Sequence, residues 1–310
     1  MDKIRNVLVI SYSQSGQLHE ITDNFIQPLQ DVDIDRIKYD PVDPYPFPWT
    51  SAAFFDTMPE SVLEKPVPLK KISYKYSKYD LVIFAYQPWY LSPSIPATSL
   101  LSDKEFLARI EKTPVITLIG SRNMWLNSQE SVKSRIIEAG GIIVANLPFA
   151  DRNQNQISAI TILHWMLSGR KVRKYRFLPL PGVSDKDIFA AKDFGKILNL
   201  AIYMNDLTKL QDEFVASGFI DLTAEIIFIE KKAKRLFRIW AAIISKYSKT
   251  KTRRRLLISA YKYYLFTALF IIAPIVMLFY KLLIIPFTLK RINREKQVYL
   301  RQIDSKCPYI

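Results

Sequence analysis

Three features of the sequence predict an α/β fold, a parallel sheet with helices on both faces. Apolar runs of strand length recur at Val7 to Ile10, Ile34 to Tyr39, Leu81 to Tyr86, Val115 to Ile119 and Ile142 to Leu147. Between most of them lie stretches with helical spacing, such as Leu18 to Leu29 and Gln129 to Ala139, the second closed by Gly140 and Gly141 as a C-cap. Such alternation is the pattern of a parallel sheet. The chain has 310 residues and is 49% hydrophobic, ample for a sizeable core with an appendage.

The turn after the first run lies in VISYSQSGQLHEI, residues 9 to 21, and sets Ser11, Ser13, Ser15 and Gly16 before a helix. A helix N-terminus leaves N–H groups unpaired and carries a partial positive charge, so such a turn is a ready anion site, although serines there also serve as simple caps. The spaced glycines of a dinucleotide turn and the lysine of a Walker loop are missing, which speaks against both readings. Residues 41 to 60, PVDPYPFPWTSAAFFDTMPE, carry Pro41, Pro44, Pro46, Pro48 and Pro59, which oppose a continuous helix. The aromatics of this loop suit either a cap over a ligand or a rigid crossover packed on the sheet. After the third run, YQPWYLSPSIPATSLL places Trp89 and Tyr90 between prolines; after the fourth, IGSRNMWLNSQE offers Gly120 for close approach and Arg122 and Asn123 as donors. Ligands of open α/β sheets sit at the carboxyl ends of the strands, so the three loops together form one candidate site. A phosphate cradle between two aromatic, donor-bearing walls suits a flat heteroaromatic ring with a phosphate tail.

YSQSGQL at 12 to 18 resembles the phosphate loop of flavodoxin-like proteins, and PWYLSPSIPATSLLS resembles the flavin loop of flavodoxin-fold quinone reductases. The chain departs from both patterns, with Leu18 in place of the usual Thr and no Lys-x-Trp-Ile-Asp after Ala97. Over its length, the combination of SYSQSGQL, PYPFPW, GSRNMW, HWMLSGRK and a greasy, basic C-terminus is more specifically similar to the flavodoxin-like dialkylresorcinol-condensing enzymes of bacterial dialkylresorcinol and flexirubin-type aryl-polyene pathways. That resemblance implies a five-stranded parallel sheet in the order 2-1-3-4-5 and an FMN cofactor. It also implies oxidative aromatisation of a lipophilic 2,5-dialkylcyclohexane-1,3-dione supplied by a partner ketosynthase. Carried over by motif, Ser13, Gln14, Ser15, Gly16 and Gln17 would bind the FMN phosphate. Pro88, Trp89, Tyr90 and Leu91 would flank the isoalloxazine, with Gly120, Ser121, Arg122 and Asn123 on its polar edge.

Candidate bases are few. His164 is favoured, with packing beside Trp165 as its structural alternative, and Tyr90 is a comparable candidate for a proton relay, with stacking as the alternative. His19 lies in the first turn of the first helix and lines the phosphate side; Asp151 would bind substrate or cap a turn. A 1,3-dione is itself acidic, which reduces the need for a strong protein base. Two rival readings share these features: an NAD(P)H:quinone reductase, and a non-redox scaffold docking the ketosynthase at a membrane. Quinone reductases of this fold form dimers, so a homodimer is a further expectation of the resemblance.

The formal charge of +15 is not spread evenly: residues 231 to 296 hold 17 Lys/Arg and one acid, whereas residues 1 to 230 hold 25 basic and 27 acidic residues. The basicity therefore belongs to the C-terminal segment. From Ala224 the sequence predicts a basic amphipathic helix with Ile226, Ile229, Ala233, Leu236, Phe237, Trp240, Ile243, Ile244 and Tyr247 on its apolar stripe. Tyr263 to Tyr280 is an uncharged run of 18 residues, ~27 Å as a helix and just enough to cross a hydrocarbon core. Pro274 interrupts it, and basic clusters flank both ends, KTKTRRR before and KRINREK after. Positive flanks favour the same, cytoplasmic side for both ends, hence a re-entrant or monotopic arrangement over a single span, with a buried soluble helix as the third option. The adjoining hydrophobe argues against nucleic acid as the partner of this charge. The expected organisation is a cofactor domain at 1–180, a helical extension at 181–248 and a membrane-associated tail at 249–310, at the cytoplasmic face of a bacterial inner membrane. The single cysteine, Cys307, excludes an internal disulfide, and no metal site is expected.

Overall fold

The computed structural model of the protein describes residues 4–301; Cys307 lies outside them. The five apolar runs form β1 (Asn6–Ser11), β2 (Asp33–Lys38), β3 (Leu81–Tyr86), β4 (Pro114–Ser121) and β5 (Ile142–Ala150). All are parallel, in the order β2-β1-β3-β4-β5, which is the flavodoxin-like doubly wound order. Every residue of β3 is buried because the strand is central and covered on both faces, whereas β2 is an edge and exposes Asp33 and Lys38.

Helix α1 (Gln17–Ile26) follows β1. The proline-rich segment holds only two short helices, α2 (Ser51–Asp56) and α3 (Met58–Val62), as its prolines require. Helices α4 (Ile95–Leu100) and α5 (Lys104–Ile110) link β3 to β4, and α6 (Leu126–Glu138) links β4 to β5. After β5 come α7 (Asn155–Ser168) and α8 (Asp185–Tyr203). Helix α8 lies against α1 at a contact that only a glycine permits: a Cβ on Gly195 would stand 2.0 Å from the Phe25 carbonyl oxygen. The core of the sheet continues through Val183, Ile188, Phe194 and Leu198 to Phe214 of α9 (Leu210–Ala216) and on to Leu222. Packing is therefore continuous past residue 180, because α8 supplies the layer that covers α1 and β5.

Helix α10 (Ala224–Tyr247) begins at Thr223, whose hydroxyl accepts from the Ile226 N–H at 3.3 Å. Its buried positions are Ile227, Glu230, Ala241 and Ile244, a face one residue off the stripe expected from hydrophobicity. Leu236 and Tyr247 of that stripe are exposed instead. The offset arises because α10 is contacted from two sides, by α3 and α6 of the body and by the segment that follows it.

That segment is helical throughout: α11 (Lys251–Thr267), a π turn at Ala268–Ile272, α12 (Ala273–Phe279), a second π turn at Tyr280–Ile284, and α13 (Ile285–Leu300). Each π turn ends two residues before a proline, Pro274 or Pro286. A proline has no N–H to donate and collides with the carbonyl four residues back, and a wider turn at that place relieves both. Pro274 thus reshapes the helix without ending it.

Candidate functional site

The three loops singled out in the sequence meet where the strand order reverses, between β1 and β3, and this crevice is where doubly wound sheets bind ligands. The loop from β1 to α1 is built around Gly16 in the left-handed conformation, φ 87°, with no atom within 4 Å of where a Cβ would lie. Ser13 Oγ accepts from the Leu18 N–H at 3.1 Å and caps the helix. Among the described residues, the N–H groups of Ser15, Gly16 and Gln17 have no protein acceptor. The side chains are arranged otherwise than the motif implies. Gln17 pairs with the backbone of Val183, donating from Nε2 to its carbonyl at 3.0 Å and accepting from its N–H at 3.0 Å. Gln14 gives its N–H to Gln87 Oε1 at 2.8 Å and its Nε2 to the Pro46 carbonyl at 2.9 Å, while the Tyr12 hydroxyl donates to its Oε1. Both glutamines are struts, so the anion-binding capacity of this loop rests on its backbone and on Ser15.

The strut from Gln14 holds the proline-rich segment down on the phosphate loop. Trp49 anchors that segment further: its N–H donates to the Met166 carbonyl at 2.8 Å, and its ring packs edge-on against Trp89 at 5.5 Å. Tyr45 meets Trp89 at 5.0 Å, and Tyr12 meets it at 6.2 Å. Trp89 is therefore the centre of an aromatic wall.

Pro88 and Trp89 pair antiparallel with Pro93 and Ser92, leaving Tyr90 and Leu91 as the tip of a two-residue hairpin with φ of 48° and 64°. Two successive left-handed residues make a type I′ turn, a geometry that favours Asn and Gly, so Tyr90 and Leu91 are held in it by their surroundings. Tyr90 donates its hydroxyl to the Phe54 carbonyl at 2.6 Å, and its ring sits among Phe54, Phe237 of α10 and Tyr261 of α11. Burial pushes its pKa well above the usual tyrosine value. Both ring and hydroxyl are thus taken up by the junction with the C-terminal helices, which corrects the expectation of a proton relay at Tyr90.

At the end of β4, Gly120 has a different role from the one expected. A Cβ there would lie 3.2 Å from Leu18 Cδ1, so the glycine makes room for the buried Leu18. The departure at Leu18 and the glycine at 120 are one packing solution. Arg122 donates from Nη1 to the Asn155 carbonyl at 2.8 Å, and Asn123 donates from Nδ2 to Asn155 Oδ1 at 3.2 Å. Burial lowers the Arg122 pKa to about 10, opposed by the charges of Asp151 and Glu230, so it remains a cation at neutral pH. Ser121 Oγ, Asn123 Oδ1 and Asn155 Nδ2 are buried without a hydrogen-bond partner among the described residues.

The remaining candidates separate. His164, on α7, is half-buried and its side chain makes no hydrogen bond or ion pair with another described residue. His19 is hydrogen bonded through Nδ1 to Ser11 Oγ at 3.0 Å. Burial first, then Arg36 and Lys38, lower its pKa to about 4, so it is neutral at physiological pH. Asp151 accepts from the Asn153 N–H at 2.9 Å and from Ser158 Oγ at 2.7 Å, which makes it the cap of the turn into α7.

One charged group escaped sequence reasoning. Glu230 is fully buried, accepts from the Asn127 N–H at 2.7 Å and so satisfies a free donor in the first turn of α6. Its other oxygen, Oε2, meets no hydrogen-bond donor among the described residues. Burial raises its pKa to about 7 despite the stabilising bonds from Asn127. The signal in the sequence was its place in a 3,4-spaced row with Ile227, Lys234, Phe237, Ala241 and Ile244, masked by the basic residues around it.

No family model and no curated protein matches the sequence. Among solved structures, the chain is similar to a flavoprotein in complex with FMN from Lactobacillus acidophilus NCFM, at 13% identity, covering 47% of this chain and 93% of that one with a TM-score of 0.39. It is also similar to a flavodoxin from the domain Archaea, at 11% identity, 64% and 99% coverage and a TM-score of 0.35. A third is oxidised Flavodoxin 1 from Bacillus cereus, at 14% identity, 64% and 97% coverage and a TM-score of 0.32. Likeness at these levels carries no argument about ligand or activity, and the fold assignment rests on the strand order.

The site does fit a flavin mononucleotide on its own terms. Free N–H groups at a glycine turn entering a helix match a phosphate, the Trp89 wall matches a flat ring, and the unpartnered amide and hydroxyl atoms after β4 and at the start of α7 match a ring edge carrying both donors and acceptors.

Proposed function

We propose that this protein is an FMN-dependent oxidoreductase that aromatises a lipophilic 2,5-dialkylcyclohexane-1,3-dione, the product of a partner ketosynthase, to a dialkylresorcinol at the cytoplasmic face of a bacterial inner membrane. The observation that carries this reading is the hairpin at Trp89 and Tyr90, whose first residue walls the cofactor crevice and whose second is embedded in the C-terminal apolar helices. A cofactor site joined to an apolar arm in this way suits a substrate that partitions into lipid.

The backbone of Ser15 to Gln17 would hold the phosphate, Trp89 would bear on the ring, and Ser121, Asn123 and Asn155 would meet its polar edge. When bound, the flavin supplies the two-electron acceptor that the oxidation requires. The chain's own part is orientation and charge. Arg122, a desolvated cation, favours the enolate form of an acidic 1,3-dione. Glu230, buried against the start of α6, contributes a negative charge that supports the Arg122 cation. Among the described residues no acid or base partner meets the His164 side chain, and the acidity of a 1,3-dione itself reduces the need for a strong protein base. Tyr45, Trp49 and the proline-rich segment exclude water from the crevice.

The test is an anaerobic titration of detergent-purified, FMN-loaded protein with a synthetic 2,5-dialkylcyclohexane-1,3-dione, following flavin absorbance. Bleaching with stoichiometric resorcinol is the expected result. Bleaching by NAD(P)H but not by the dione would establish the quinone-reductase reading instead. Failure to retain flavin, with the fold intact, would leave a scaffold for the ketosynthase.

A further inference from the structure

The 50-residue helical arm, residues 251–300, is long and apolar enough to cross a membrane, with a mean hydropathy of 2.6 over its most apolar window, of which 11% is buried. Its attachments argue against a crossing. At the start, Arg254 bridges Asp56 Oδ1 at 2.6 Å and Glu60 Oε2 at 2.8 Å, and Tyr261 is fully buried against Phe237 and Trp240. Lys262 Nζ reaches Ser51 Oγ at 3.3 Å. At the far end, Tyr280 stacks on Phe228 with ring centroids 4.0 Å apart, Lys281 pairs with Glu225 at 3.2 Å, and Glu295 pairs with Lys231. Leu300 enters the core of the α/β body, and its carbonyl accepts from buried Gln211 at 2.6 Å.

Both ends of the arm are therefore fastened to one face of one body. The stretch without such fastening, 267–276, ends at Met277, which is buried with Tyr280 against Phe228 and Ile229, and spans only ~15 Å as a helix, short of a hydrocarbon core of ~30 Å. The arm also runs beside α10, meeting Trp240 near its start and Phe228 near its second π turn. What it turns outward is apolar: Ile272, Ile275, Phe279, Leu282, Leu283 and Phe287 are all exposed. What flanks that surface is basic, with Lys249, Lys251, Arg253 and Arg255 exposed at one end and Lys290, Arg291 and Arg294 at the other.

We infer that the arm is an in-plane anchor that sinks its outer face into a single leaflet of an anionic bilayer, with both basic ends on the side of the catalytic body. An apolar stripe between two clusters of cations has the chemistry of a headgroup boundary over acyl chains. This inference rests on the membrane reading above and adds its geometry: the bilayer is entered, not crossed. Tyr261, on the arm, touches Tyr90 at the hairpin, so the anchored surface and the cofactor crevice share one wall.

The experiment has two arms. Full-length protein is floated with vesicles of phosphatidylcholine and phosphatidylglycerol; binding is expected, weakened by high salt and by about tenfold or more in the exposed-face double variant Ile275→Asp, Phe279→Asp. In a Cys307→Ser background, Lys249→Cys and Lys290→Cys are probed with a membrane-impermeant maleimide in spheroplasts and in inside-out membrane vesicles. Both cysteines are expected to label only in the inside-out vesicles. Labelling of Lys290→Cys in intact spheroplasts would establish a span and overturn the single-leaflet geometry while leaving the membrane reading in place. No flotation, together with a dimer in solution that Ile275→Asp, Phe279→Asp dissolves, would show a second copy on this face and overturn both.

Discussion

At the scale of single residues, the site is decided by which polar groups are already paired. Gln14 and Gln17 belong to the motif yet are bonded to Pro46 and Val183, so the cradle is made of backbone donors. Trp89 is the residue whose loss should be felt most by a flavin. Trp89→Ala is expected to lower the ratio of flavin to protein after gel filtration by about tenfold, since it removes the ring face and its edge contacts with Tyr45 and Trp49; unchanged occupancy would reject a stacking role. Glu230 yields a pH prediction with a definite sign. Its pKa in the folded protein is about 7, above the ordinary 4.5, so folding takes up a proton between these values. Stability from this group is complete below pH 4.5 and declines as pH rises towards 7. Glu230→Gln keeps an oxygen for the Asn127 N–H and should flatten that slope, adding up to about 3 kcal/mol above pH 7. Urea titrations of both proteins from pH 5 to 8 would measure it, and parallel slopes would dismiss the assignment.

Among elements, the contact between α1 and α8 is the most exacting. The Phe25 carbonyl occupies the space that any side chain at Gly195 would need, 2.0 Å from the Cβ position. Gly195→Ala should cost about 3 kcal/mol or more, because backbone meets backbone and neither helix can yield a rotamer. Gly218→Ala is the control: φ there is 70° but nothing lies within 4 Å, so only backbone strain of about 1 kcal/mol is expected. Comparable denaturation midpoints for the two variants would show that α8 can shift away from α1. The buried face of α10 makes a related point. Hydrophobicity placed its stripe one residue away from the face that is buried, because α10 is contacted from two sides, and on the body side the Asn127 N–H at the start of α6 is met by Glu230, partners invisible in α10 itself.

On the scale of the whole molecule, the arm and the α/β body stabilise each other. Tyr261 lies beneath Tyr90, Arg254 bridges α2 and α3, and Leu300 fills part of the sheet's own core. Removal of residues 249–310 is therefore expected to lower the melting temperature in detergent by about 10 °C and to loosen the flavin. A truncated protein with the melting temperature and flavin content of the full chain would show that the arm serves only to attach the protein to lipid.

The sequence by itself determined the sheet and the loops at its carboxyl edge. Strand-length apolar runs alternating with helical spacing leave few other ways to bury so much surface, and β1, β3 and β4 were visible together with the loops at their carboxyl ends. It also determined that charge and grease share the C-terminus, since both are matters of composition. Only the tertiary structure decided which residues of those loops are free to act. The pairing of Leu18 with Gly120, of Gln17 with Val183 and of Glu230 with Asn127 joins positions up to 166 apart in the chain, and a local pattern holds no record of such partners. The same reason separates a membrane span from an in-plane anchor: length and hydropathy are properties of the segment, but where its two ends are fastened is a property of the fold.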